Sequence, residues 1–245
     1  MVTIKQVFVQ ADYRYILKNI NLSISQGELI GIMGPNGAGK TTLLKVIMGL
    51  VKPSEGKIEW QWSSGKEPGI LSRHIGAVLD ESFLYNDLTV LENLDFYADL
   101  YQITNKVQRV NKLLYQFQMT HRKHDRVSSL SKGLKKRVAL MRGMLHQPVL
   151  WLLDEPFDGL DQLSVRLLAK HMRDHIYSGG TVIFISHIMS YVSDLATRVL
   201  LLENGELKAD CAIPAEWERF TALYGKVNGE PGTMRRGISA CHTSK

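Results

Sequence analysis

Gly34-Pro35-Asn36-Gly37-Ala38-Gly39-Lys40-Thr41 fills every defining position of the phosphate-binding pattern G-x-x-x-x-G-K-[ST]. Glycines at 34, 37 and 39 permit backbone angles and close approaches that a Cβ would block, so successive N–H groups can curl around an anion. In such a loop Lys40 reaches the β and γ phosphates and Thr41 offers a hydroxyl to Mg²⁺. The following helix aims its partly positive N-terminus at the same phosphates. Immediately upstream, Leu29-Ile30-Gly31-Ile32-Met33 reads as a short buried strand. Downstream, Thr42 to Met48 carries a helical apolar pattern that Gly49 can cap. Strand, glycine loop and helix are the setting that separates a nucleotide site from a chance match in a turn.

Working outward, the 245 residues suffice for one large α/β domain or a domain with an inserted subdomain. The two cysteines, Cys211 and Cys241, fit a reducing compartment better than a disulfide scaffold. No apolar run approaches the roughly eighteen residues of a membrane span, and the N-terminus lacks a signal pattern. The expectation is a cytoplasmic protein. The formal net charge of +6 permits contact with anionic surfaces. Its basic residues are scattered except for Lys132, Lys135, Lys136 and Arg137 and a looser group from Arg122 to Arg126. No aromatic residues interleave the lysines, so these clusters read as solvated surface and nucleic acid is not an expected partner.

Thr3 to Val9 and Ile20 to Ser25 read as strands of an antiparallel edge, with Tyr13 and Tyr15 in a polar connection where a ring could stack on a purine. Lys57 to Trp62 alternates as a strand, and Ile75 to Leu79 makes a short buried one that ends at Asp80 and Glu81. Thr89-Val90-Leu91-Glu92 is a capping box, and from there to about Gln147 the periodicity is helical, which marks residues 89–147 as an inserted helical block. Ser131 is placed to cap its last helix, with Gly133 in the first turn. Val149 to Leu153 is a continuous apolar run, the pattern of a parallel strand buried on both faces, and Asp154-Glu155 leaves its C-terminal end. Thr181 to Ile185 repeats the pattern and ends at Ser186 and His187. Arg198 to Glu203, Asn204-Gly205 and Glu206 to Lys208 form a hairpin. Residues 209–245 read as a C-terminal extension, with a short helix within Pro214 to Tyr224 and a mobile tail after Gly225.

Three strands ending in a phosphate loop, an acidic pair and a histidine would put a cation-binding acid, a base and a phosphate sensor around one crevice. At this point the sequence resembles the ATP-binding subunits of ATP-binding-cassette (ABC) transporters, over roughly residues 1–208 and with the motifs in the family's order. Gly34 to Thr41 matches the Walker A loop, Leu130-Ser131-Lys132-Gly133-Leu134 is similar to the signature, and Leu150 to Glu155 matches Walker B. Gly159-Leu160-Asp161 resembles the D-loop, and His187 the switch histidine. The resemblance implies an α/β fold: a P-loop NTPase core with a mostly parallel sheet, an N-terminal antiparallel β subdomain and an inserted α-helical subdomain.

The resemblance also implies roles. Gly34, Pro35, Asn36, Gly37, Ala38, Gly39, Lys40, Thr41 and Thr42 would hold the phosphates of ATP, with Tyr13 (Tyr15 next to it) stacking on adenine. Thr41 and Asp154 would hold Mg²⁺, with Asp80 near it. Glu155 would be the general base, His187 would contact the γ-phosphate, and Ser131 and Gly133 would touch phosphate across a subunit contact. Two positions depart from the family pattern. The signature commonly reads L-S-G-G-Q, and here Lys132 and Leu134 replace a glycine and the glutamine; Asp80 stands where a glutamine is usual. The implied partners are a second ABC subunit, as homodimer or heterodimer, and a separate transmembrane permease, with this chain peripheral on the cytoplasmic face. The Ser-Lys-Gly signature resembles the drug and peptide exporters. The alternatives are a soluble ABC-type ATPase acting on nucleic acid or ribosomes, and a nucleotide-sensing module that does not hydrolyse ATP.

Overall fold

The structure, a computed structural model, describes residues 1–62, 71–79 and 83–228. Two sheets organise it. The smaller is antiparallel, in the order β2-β1-β4, from β1 (Val2–Ala11), β2 (Arg14–Ile24) and β4 (Glu55–Trp60). The larger has the order β5-β6-β7-β3-β8-β9, built from β5 (Ile75–Val78), β6 (Leu150–Asp154), β7 (Thr181–Ile185), β3 (Leu29–Met33), β8 (Arg198–Glu203) and β9 (Glu206–Ala212). Its strands are parallel except for β9, which returns from β8 through an Asn204-Gly205 turn with both residues at positive φ. The α/β expectation with a mostly parallel sheet therefore holds.

Period-two alternation sorts the side chains of the large sheet into two cores. Leu150 and Leu152 of β6, with Ile30 and Ile32 of β3, face α1 (Lys40–Ile47) and the antiparallel sheet. Trp151 and Leu153 face the other way, into a core shared with α4 (Lys132–Met144), α5 (Gln162–Tyr177), α6 (Met189–Leu195) and α7 (Trp217–Asn228). All five residues of β3, β6 and β7 are buried, which is why they read as unbroken apolar runs.

Between β5 and β6 lie α2 (Val90–Leu100), α3 (Lys106–Gln116) and α4. Thr89 opens α2 with the expected capping box, reciprocal with Glu92. Ser131 caps α4 by accepting a hydrogen bond from the Leu134 N–H at 3.4 Å. The far half of α4 presses so closely on β5 that a Cβ at Gly76 would lie 2.0 Å from the Gly143 carbonyl oxygen. The signature end of that helix is thereby aimed from a fixed base.

Three local expectations need revision. Tyr15 does not lie in the connection: the turn is only Asp12-Tyr13, both at positive φ, and Tyr15 belongs to β2. The closing strand runs to Ala212 rather than Lys208, held by Arg198 pairing with Asp210 at 2.6 Å and by burial of Ala209 and Cys211. The C-terminal helix is shifted, running over Trp217–Asn228 rather than within the expected Pro214 to Tyr224, with Trp217 and Phe220 buried in the second core and Tyr224 packed against it. Small residues in β9 and a helix face spaced by three and four hide that structure from a local reading. Among the described residues no helix is long and apolar enough to cross a membrane.

Candidate nucleotide site

The phosphate loop joins β3 to α1, and the backbone around it explains its glycines individually. A Cβ at Gly34 would sit 2.0 Å from the Leu202 carbonyl oxygen, and one at Gly39 would sit 2.8 Å from that of Ile16. Gly37 is different: nothing lies within 4 Å of its Cβ position, and its φ of +78° is what calls for glycine. The first two let the loop nest on its own scaffold, and the third shapes the face turned to the cleft.

That cleft, about 460 Å³, is lined by Asn36, Gly37, Gly39, Lys40, Thr41 and Thr42, by Asp154 and Glu155, and by Ile16 and Ile185. It opens beyond the C-terminal ends of β3, β6 and β7, where an open α/β sheet binds ligands. Lys40 Nζ donates to the Gly34 and Pro35 carbonyls at 2.8 and 2.9 Å, so the ammonium is folded back onto its own loop. Burial lowers its pKa, and the nearby Glu155 and Asp154 carboxylates oppose that shift. Thr41 Oγ1 donates to Asp154 Oδ2 at 2.7 Å, placing a hydroxyl and a buried carboxylate side by side at the head of α1. Two hard oxygens, one from the head of α1 and one from the end of β6, suit a divalent cation.

Glu155 stands at φ +42°, an uncommon backbone for a non-glycine residue, and its carboxylate Oε2 lies 3.2 Å from His187 Nδ1. Burial raises the Glu155 pKa; the hydrogen bond and charge of His187 oppose this, and Asp158 and Asp154 add to it. A carboxylate held with less hydration than usual and hydrogen-bonded to an imidazole is arranged to accept a proton.

The remaining predicted residues fall elsewhere. Ser131 and Gly133 line a separate cavity of about 280 Å³ with Lys132, Leu134, Gly159 and Asp161, so one chain does not bring its signature to its own phosphate loop. Tyr13 is 99% exposed at the hairpin tip, and Tyr15 packs edge-on against Phe8. Asp80 lies outside the described residues. Sequence reasoning missed Ile16, which enters the cleft because a register shift between the β1–β2 pairs Val9–Leu17 and Gln10–Tyr15 displaces it. It also misjudged the basic run at 132–137. Arg137 has a side chain only 12% exposed and donates to Ser164, and Lys136 Nζ reaches the Asp154 carbonyl oxygen at 3.5 Å. For these two residues the contacts are internal, while Lys132 is exposed as a solvated face requires. A further cavity of about 440 Å³, bordered by Pro148, Val149 and Gly180, lies at the opposite ends of β6 and β7 and holds none of the motifs.

The model of the ABC transporter family matches residues 17–158, more than half of the chain. The chain belongs to the ABC transporter family. It is 33% identical over 204 residues to the Bacillus subtilis ABC transporter ATP-binding protein YdbJ, covering 82% of this chain and 65% of that relative. It is 37% identical over 194 residues to a probable sulfate/thiosulfate import ATP-binding protein of Chlorella vulgaris, covering 78% of this chain and 82% of the other. With the linearmycin resistance ATP-binding protein LnrL of B. subtilis it shares 35% over 197 residues, 79% of this chain and 63% of the relative. Among solved structures, an ATP-binding subunit of an ABC transporter superposes with a TM-score of 0.81 at 27% identity, over 92% of this chain and 95% of that one. A dimeric ATP-binding cassette bound to ADP and Pi gives 0.78 at 27%, over 88% and 100%. The ABC chain described here is thus an ATP-binding, ATP-hydrolysing subunit of that family.

Proposed function

We propose that this ABC subunit powers a separate membrane permease, working on the cytoplasmic face as one half of a head-to-tail pair of cassettes. The observation that carries the reading is the meeting of Lys40, Thr41, Asp154 and Glu155 in one cleft, with His187 hydrogen-bonded to Glu155, while Ser131 and Gly133 stand in another. A second subunit, presenting its own Ser131 and Gly133, completes the phosphate site. The dimeric form of a similar cassette supports that arrangement.

In the proposed chemistry, the loop amides and Lys40 grip the phosphates once the ammonium exchanges the Gly34 and Pro35 carbonyls for phosphate oxygens. Thr41 and Asp154 hold Mg²⁺, whose charge offsets that of the phosphates. Glu155 takes a proton from the attacking water as its oxygen bonds to the γ-phosphorus, and the bridging P–O bond breaks to release ADP. His187 orients Glu155 and contacts the γ-phosphate. Tyr13, at the free hairpin tip, stacks on adenine.

The permease docks, in this reading, on the helical block and the segment that leads into it from Phe83. Phe83, Tyr85, Phe96 and Leu100 are 52%, 48%, 42% and 63% exposed there, an apolar shelf of the kind that marks contact surfaces. Beneath it the buried Arg142 guanidinium lies 5.8 and 5.3 Å from the Phe83 and Tyr97 ring centres and donates to the Ala77 carbonyl at 2.9 Å. Export is the direction we propose, on the form of the signature and the linearmycin-resistance relative. The test of the core reading is steady-state hydrolysis by the full chain. Activity should require Mg²⁺ and vanish in Lys40→Ala; hydrolysis that survives either removal would overturn it.

A further inference from the structure

We propose that Arg137 is a positioning residue for hydrolysis: from the signature helix it tethers, through Ser164 and Asp161, the turn that carries Glu155. The inference rests on Glu155 being the base.

After β6 the chain makes two tight turns, with the Asp158 N–H donating to the Glu155 carbonyl at 3.3 Å and the Leu160 N–H to that of Phe157 at 3.2 Å. It then enters α5 at Asp161, whose Oδ1 accepts from the Ser164 N–H at 2.7 Å and the Ser164 hydroxyl at 2.6 Å. Having given its proton to Asp161, the Ser164 oxygen is left to accept, and Arg137 supplies both donors: Nε at 3.1 Å and Nη2 at 2.5 Å. The guanidinium also lies 3.8 Å from Asp161 Oδ2. Asp161 is largely exposed, so that ion pair is weak; the bonds to buried Ser164 are the shielded part of the tether.

The same helix touches the turn at two other places. A Cβ at Gly133 would be 3.0 Å from the Gly159 carbonyl oxygen, and the Lys132 stem passes 3.4 Å from the Cβ position of Gly159. Lys136 reaches the Asp154 carbonyl at the start of the turn. The segment between Asp154 and Ser164 is therefore held by α4 at its beginning, middle and end. Glu155, in its left-handed conformation, depends on neighbours to keep it there. Because Asp161 still caps α5 through the Ser164 N–H without Arg137, losing the guanidinium removes the lateral tether and leaves the helix start in place.

The experiment compares Arg137→Gln, Ser164→Ala, their double variant and Arg137→Lys in full-length protein, with kcat, KM for Mg-ATP and the unfolding midpoint measured for each. Misplacing a reacting group by about 1 Å can cost about a hundredfold, so each single variant should lose about tenfold or more in kcat with KM within about twofold. The double should be no slower than the slower single, since both cut one connection, and Arg137→Lys should recover part of the rate. Unchanged kcat in both singles, losses confined to KM, or losses that multiply in the double would overturn the inference. Ser164→Ala decides the matter if Arg137→Gln does not fold. Glu155→Gln is assayed alongside: if it keeps the wild-type rate, the base assignment and this inference fall together. If it is inactive while Arg137→Gln and Ser164→Ala are not impaired, only the inference falls.

Discussion

Strand β6 connects two regions where burial shifts titratable groups in unlike surroundings. At its C-terminal end Asp154 and Glu155 keep polar partners, Thr41 and His187, and border the cleft. Burial raises the Glu155 pKa and lowers that of Lys40 without leaving either group unpartnered. At the other end the rings of three histidines are enclosed by aromatic neighbours. His146 stacks on Tyr101 at 4.2 Å, His171 on Phe117 at 4.1 Å, and His175 meets Trp151 edge-on at 6.0 Å. Burial lowers all three, His146 to about 4. Desolvation is common to both ends. His171 and His175 also border a cavity, so access to solvent does not separate the two ends; what does is the pairing of side chains, Thr41 with Asp154 and His187 with Glu155, against ring stacking and backbone carbonyls at the histidine end.

Three changes sharpen or break that contrast. The largest effect is expected from Glu155→Gln, which should cut turnover by about 10²–10⁴-fold. It should also leave the unfolding midpoint equal or up to about 3 °C higher, since a carboxylate whose pKa is raised by burial opposes folding when ionised. A clear fall in midpoint would mean that Glu155 supports the fold rather than the chemistry.

Next comes acidification. Because the folded pKa of His146 is depressed to about 4, the unfolded chain takes up its proton first as pH falls below about 6.5. Stability contributed by the neutral ring is present above that pH and lost progressively toward pH 4, on the order of 3 kcal/mol. Denaturation by urea at pH 7.5, 6 and 5 should show the decline, and His146→Gln should make it shallower, leaving the part due to His171 and His175. A slope unaltered by that substitution would separate the histidine end from acid sensitivity. The smallest effect is expected from Phe117→Leu, which opens one face of His171. Its pKa should move up toward the ordinary histidine range in an NMR titration, with a stability loss of about 1 kcal/mol. No movement would place the cause of the depression elsewhere than the Phe117 ring.

Much of the fold could be read locally because its central strands are buried on both faces: Leu29 to Met33, Leu150 to Leu153 and Thr181 to Ile185 are continuous apolar runs with punctuation at each end. The phosphate loop, the acidic pair and the histidine were legible for the same reason, since each follows such a strand. Less legible was what depends on pairing between distant segments. Ile16 enters the cleft through a shift in register with β1, which no period in β2 reveals. Lys136 and Arg137 look like surface charge because their acceptors, the Asp154 carbonyl and the Ser164 hydroxyl, lie 18 and 27 residues away. Ala209 and Cys211 are too small to mark β9, and only the arrival of Trp217 and Phe220 shows that they are covered.

The claim on which the rest turns is that one copy holds the phosphates and another supplies the signature. Sedimentation of Glu155→Gln, with and without Mg-ATP, tests it most directly. The account predicts a monomer without nucleotide and a stable dimer with ATP that Ser131→Arg abolishes. A Glu155→Gln protein that binds ATP yet stays monomeric across micromolar concentrations would contradict it.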